Sequence, residues 1–117
     1  MTVLPYLTYF ILLTEPPKLS TRNPPENEVI EGMPLMLQFK VHGYPNPLAT
    51  LRHNKTIVLN ETNMELIYIR HNASKLYNGD YTLTAENPLG DANLTIKVKV
   101  IREYFALIDR SIDRLIE

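Results

Sequence analysis

From Leu35 to Val100 apolar and polar residues alternate with a period of two, in short runs separated by turn-forming residues. Leu35, Leu37, Phe39 and Val41 alternate with Met36, Gln38, Lys40 and His42, which predicts a strand with its leucines, Phe and Val inward. Leu48 to Arg52 and Ile57 to Leu59 are shorter runs of the same kind, joined by a turn at Asn54-Lys55-Thr56. Tyr81, Leu83 and Ala85 share one face of a strand that starts at the turn Tyr77-Asn78-Gly79-Asp80 and closes at Glu86-Asn87-Pro88-Leu89-Gly90. Ala92, Leu94, Ile96, Val98 and Val100 line a last strand. Two registers are open to Met64–Arg70: Leu66, Tyr68 and Arg70 inward, or Glu65, Ile67 and Ile69. The second is preferred, because it buries two isoleucines and leaves only a terminal Glu at issue. His42 to Pro47, with a Gly and two Pro, is expected to be a loop, and His71 to Lys75 a connection between strands.

The ends of the chain follow other patterns. Residues 1–14 are mostly apolar and stop at Glu15-Pro16-Pro17. They are far short of the ~20 residues a membrane span needs. They read as a signal-like segment or as an apolar extension of the domain, and Pro16-Pro17 and Pro24-Pro25 as linker or edge strand. After Val100 the apolar period lengthens to about three and a half, through Ile101, Phe105, Ile108, Ile112 and Leu115. This predicts an amphipathic helix over 101–117, docked on its own domain or self-associating with a second copy. The expected organisation is therefore an N-terminal segment 1–16, a domain 17–100 and a helix 101–117.

A chain of 117 residues is one domain able to bury roughly two thirds of its unfolded surface. It has no Cys, so neither a disulfide nor a thiolate metal site contributes. Four Asn-x-Ser/Thr sequons, at Asn54, Asn60, Asn72 and Asn93, exceed the roughly one expected by chance and favour an extracellular or cell-surface setting. A formal net charge of −1 with mixed signs provides no field for nucleic acid or for an anionic membrane.

Nothing in the sequence points to catalysis, a cofactor or a metal. His42, His53 and His71 sit in or beside loops, and Ser20, Ser74 and Ser111 lack a Gly-x-Ser-x-Gly setting. Asp80 and Asp91 belong to turns. The chemistry expected of the chain is protein recognition.

Two motifs carry a family resemblance. Gly32-x-x-Leu35-x-Leu37-x-Phe39-x-Val41-x-Gly43-Tyr44-Pro45-x-Pro47 and Gly79-x-Tyr81-x-Leu83-x-Ala85-x-Asn87-x-x-Gly90 resemble an I-set/C2-type immunoglobulin domain over about residues 17–100. The implied fold is an all-β, Greek-key immunoglobulin-like sandwich, with the C-terminal helix appended. Its expected core includes Leu37, Phe39, Leu51, Tyr81 and Leu83, with Tyr81 as the tyrosine corner and Leu51 where the fold usually buries a Trp. Within that superfamily the chain is similar to the membrane-proximal immunoglobulin domain of the Trk neurotrophin receptors, which also carries apolar residues where Phe39 and Leu83 stand in place of the usual cysteines. That resemblance aligns Met36 and Ile67 with the family's own bridge. It implies recognition of a dimeric neurotrophin-like growth factor through Met64, His71, Asn72, Ser74 and Lys75, with the membrane reached only through a parent receptor. The alternatives are a disulfide-free structural module of an intracellular, titin-like filament protein, and an engineered scaffold without ligand.

Overall fold

The computed structural model describes residues 14–102. Eight strands are present: β1 (Glu15–Thr21), β2 (Glu26–Ile30), β3 (Leu35–Tyr44), β4 (Leu48–His53), β5 (Thr56–Glu61), β6 (Glu65–Arg70), β7 (Gly79–Asn87) and β8 (Gly90–Ile101). A single 3₁₀ turn, Lys75–Tyr77, lies between β6 and β7. The expected domain start at residue 17 falls inside β1, and Ile101 ends β8. The helix expected beyond it, and the segment 1–13, lie outside the described residues.

The strands form two sheets, β1-β3-β6 and β2-β8-β7-β4-β5. All pairings are antiparallel except β2 with β8. Period-two alternation decides which side chains meet between the sheets. Leu35, Leu37, Phe39, Val41, Leu66 and Tyr68 come from the first sheet, and Ala49, Leu51, Tyr81, Leu83, Ala85, Ile96, Val98 and Val100 from the second. Among the described residues no polar or charged side chain is buried in this layer. The positions where the resemblance implied missing cysteines are packed: Phe39 and Leu83, one on each sheet, are 2 % and 0 % exposed.

The preferred register of Met64–Arg70 is overturned. Leu66 and Tyr68 are buried, whereas Ile67 and Ile69 are exposed. In an antiparallel pair, opposite residues share a face, and β3 sets Leu37 against Tyr68 and Phe39 against Leu66. The cost assumed for an inward Arg70 is avoided at the strand end. Its Nε donates to the Tyr68 hydroxyl at 3.1 Å while its guanidinium lies 4.9 Å from the Tyr68 ring centroid.

The loop expected from His42 is also shorter than its composition suggests, because β3 continues through His42, Gly43 and Tyr44. There it pairs with β1, an edge strand whose ladder slips by one residue between Glu15 and Lys18. Pro16 and Pro17, which cannot donate, fall in that slip. Gly43 adopts φ +152°, and a Cβ there would stand 2.8 Å from Pro47 Cγ and 3.2 Å from Pro17 Cα. The chain then turns through a cis Tyr44-Pro45 bond. The Asn87 amide donates to the Glu15 carbonyl at 2.8 Å and to the Pro45 carbonyl at 3.0 Å, tying β7 to both segments.

Candidate protein-interaction surface

The Asn78-Gly79-Asp80 turn positions the connection that follows β6. The buried Tyr81 hydroxyl donates to the Tyr77 carbonyl at 2.8 Å, the corner expected from sequence. Burial, reinforced by the neighbouring Tyr68 and Tyr77, pushes that phenol well above its ordinary range, with Arg70 opposing. His53 stacks on the Tyr81 ring at 4.2 Å, and its Nε2 meets the Asn78 carbonyl at 2.8 Å. The Val100 amide donates to Asn78 Oδ1. One turn therefore joins β4, β7 and β8. Gly79, at φ +130°, permits the close approach of Asn54, whose Oδ1 accepts from the Asp80 amide at 3.1 Å.

The connection itself is pinned at its centre. Ala73 is buried; its amide donates to the Met33 carbonyl at 2.9 Å and its carbonyl accepts from the Gly32 amide at 2.8 Å. Either side of it, His71, Asn72 and Lys75 are exposed. Asn72 takes φ +56°, a conformation Asn tolerates well, and Ser74 Oγ accepts from the Leu76 amide at 3.3 Å to open the 3₁₀ turn. His71, Asn72, Ser74 and Lys75 thus share one loop. Met64, 59 % exposed, stands at the other end of β6. Seven residues of extended chain place it roughly 23 Å from His71, so the five expected contact residues do not form one compact site.

Between those ends lies a surface that the misassigned register hid. Met36 opposes Ile69, Gln38 opposes Ile67, and all four point away from the core. Met36 and Ile67 are diagonal neighbours on this outer face. Met33, 55 % exposed, extends the apolar surface to the turn before β3. Further along, Ser20, Thr21, Arg22, Gln38, Lys40, Glu65 and Ile67 line a shallow open groove across the three strands.

β6 is also an open edge. The Val41 amide donates to the Met64 carbonyl at 2.7 Å, which makes Val41 and Met64 a hydrogen-bonded pair. By alternation Phe39/Leu66, Leu37/Tyr68 and Leu35/Arg70 are hydrogen-bonded too, and Glu65, Ile67 and Ile69 aim their N–H and C=O groups away from β3. The opposite side of β3 agrees. There the Asn23 amide serves as a short strand substitute, accepting from the Gln38 amide at 2.8 Å and donating to the Met36 carbonyl at 2.9 Å. Among the described residues no strand pairs with β6 on its far side.

No protein-family model matches the sequence, and no curated protein does. Solved structures do match. A chain in the complex of titin M10 with the obscurin-like 1 immunoglobulin domain superposes with a TM-score of 0.64 at 22 % identity, covering 75 % of this chain and 96 % of that one. Titin M4 gives 0.64 at 16 %, covering 76 % and 99 %. A chimeric titin Z1Z2 functionalized with an exogenous peptide from decorin gives 0.69 at 23 %, covering 77 % of this chain and 49 % of that one. The chain has an I-set immunoglobulin fold. In immunoglobulin domains of the constant type, the sheet that holds the equivalents of β1, β3 and β6 carries a fourth strand beside β6. Here β5 leads into β6 through Thr62, Asn63 and Met64 without one, which is why the β6 edge is bare. Among the described residues no three His, Asp or Glu side chains converge to hold a metal.

Proposed function

We propose that the chain is a disulfide-free immunoglobulin module of the structural, titin-like kind, non-enzymatic, which joins a partner immunoglobulin domain by strand addition along β6. The carrying observation is the bare edge: among the described residues nothing pairs with the outward backbone groups of Glu65, Ile67 and Ile69, and the two isoleucines flank them with exposed apolar side chains. Support comes from the titin neighbours, one of them in complex with an immunoglobulin domain of obscurin-like 1. The all-apolar core at Phe39 and Leu83 makes stability independent of redox conditions, which suits a reducing compartment. Sedimentation of the chain alone and with that obscurin-like domain tests this reading. Association at micromolar concentration, abolished by Ile67→Pro, is expected, since proline removes an edge N–H without touching the β3 ladder. A monomer that ignores the partner would overturn it.

A second reading places the module on the cell surface, binding a dimeric neurotrophin-like factor through the loop His71–Lys75, where His71, Asn72 and Lys75 are exposed. Its support is that Met36 and Ile67, which the Trk resemblance aligns with the two bridge cysteines of that domain, lie together on the outer face. Calorimetric titration with neurotrophins separates the readings: heat of binding that is lost in Lys75→Ala supports the second, and silence across the factors removes it.

A further inference from the structure

We infer, building on the strand-addition reading, that β6 pairs with β6 of a second copy of this chain, antiparallel about a two-fold axis beside Tyr68. The two β1-β3-β6 sheets then become one sheet of six strands. Among the described residues the sandwich has four edge strands, β1, β2, β5 and β6. Three of them carry features that hinder pairing with another chain. β1 holds Pro16 and Pro17 in its ladder slip, β2 follows Pro24 and Pro25 and bears Glu26 and Glu28, and β5 meets β4 through an irregularity at Leu51/Arg52. β6 has neither Pro nor Lys, and it pairs with β3 in unbroken register from Glu65 to Arg70.

The order of side chains along β6 makes a second copy the strand that fits. Glu65, Ile67 and Ile69 aim their backbone groups outward, and in an antiparallel pair such positions bond to one another, so a two-fold axis can pass beside Leu66, Ile67 or Tyr68. An axis beside Leu66 sets Ile67 against Glu65 of the second copy. One beside Ile67 sets Ile67 against itself but Ile69 against Glu65, twice. An axis beside Tyr68 sets Ile67 against Ile69 of the second copy, and symmetry repeats the contact. Two apolar pairs form, and no isoleucine meets a carboxylate. Continuing the strand by one residue sets Glu65 against His71 of the second copy, with Lys40 already opposite it on β3, so the carboxylate lies between an imidazole and an ammonium. On the outer face a row of Met36 and Ile69 then runs on into Ile67 and Gln38 of the second copy. The pairing covers two isoleucines that are 53 % and 39 % exposed in the single chain. A six-residue strand makes a small interface, so association is weak: dimer at roughly 100 µM, monomer at roughly 1 µM with the edge open to solvent.

Sedimentation equilibrium of the full chain should show its mass doubling between those two concentrations, with the Ile67 and Ile69 amides exchanging fast in the monomer and slowly in the dimer. Ile67→Lys/Ile69→Lys keeps the fold, because both positions are exposed, but sets lysine against lysine and should stay monomeric. A dimer that persists in that variant joins through another surface and overturns the inference. The chain has no Cys, so single cysteines report the register. On oxidation, a mixture of Ile67→Cys and Ile69→Cys should give the mixed disulfide dimer in excess over either self-linked one, whereas predominant self-linking of Ile67→Cys means an axis beside Ile67 and overturns the register. The partner is tested separately from strand addition itself. A chain that is monomeric at roughly 100 µM, yet gains protection at Ile67 and Ile69 with the obscurin-like domain, overturns the second copy and leaves strand addition standing. A chain protected by neither overturns both.

Discussion

Removing the Tyr81 hydroxyl isolates the corner that holds the β6–β7 connection. In Tyr81→Phe the ring keeps its burial and its stack on His53, and only the 2.8 Å bond to the Tyr77 carbonyl is lost. Such a bond contributes about 0.5–1.5 kcal/mol, and the half-buried carbonyl left without its partner adds to the loss, so about 1–2 kcal/mol is expected. With a urea slope of about 1.5 kcal/mol per M, the unfolding midpoint falls by roughly 1 M at unchanged slope. The same variant carries a pH signature. Because the folded phenol titrates above its unfolded value of about 10, the folded state keeps a proton that the unfolded chain releases. The stabilisation is fully present below pH ~10 and declines as pH rises beyond it, by up to ~1.4 kcal/mol per unit. Tyr81→Phe lacks that site, so its stability should fall less steeply above pH ~10 than that of the parent. A midpoint unchanged at neutral pH, together with parallel alkaline limbs, would refute the assignment of Tyr81 as a structural corner.

Other substitutions probe the remaining supports. Leu83→Ala opens a cavity in a fully buried position of the core that also holds Phe39 and should cost about 2–5 kcal/mol by denaturant unfolding; a loss under 1 kcal/mol would show that the position tolerates collapse and does little in place of a bridge. Gly79→Ala forces an L side chain to φ +130° and against the Asn54 amide, and should cost more than about 2 kcal/mol while speeding hydrogen exchange in the β4–β5 hairpin. In a secretory host, mass spectrometry should find glycan tolerated at Asn72 and Asn93, which are exposed and whose side chains make no hydrogen bond among the described residues. Occupancy at Asn54 should lower thermal stability, because its amide serves Asn78 and Asp80; an Asn54 glycoform as stable as the bare protein would contradict the role given to that side chain.

Much of the sandwich could be read from period-two alternation, since Leu35–Val41, Tyr81–Ala85 and Ile96–Val100 each have one apolar face and no competing register. The strand at 64–70 did not yield to the same logic. Its two faces, Leu66/Tyr68 and Ile67/Ile69, are about equally apolar, and only the pairing with β3 decides between them. Counting residues penalised an inward Arg70, yet at the end of a strand a guanidinium reaches solvent at little cost. That one slip concealed the apolar outer face and, with it, the bare edge. The extent of β3 was hidden for a different reason. Gly43 and the prolines around it signal a loop locally, whereas the edge strand β1 accommodates them through a one-residue slip. Of the contact residues implied by resemblance, the loop group His71–Lys75 is contiguous in sequence and in space, while Met64 is separated from it by the full length of β6.

Residue-resolved amide exchange along β6 in the free protein bears most directly on the bare edge and on the register that creates it. Leu66, Tyr68 and Arg70, bonded to β3, should exchange slowly, and Glu65, Ile67 and Ile69 should exchange fast, becoming protected when a partner domain is added. Slow exchange at Ile67 and Ile69 with fast exchange at Leu66 and Tyr68, or protection at all six in the free protein, would contradict the account.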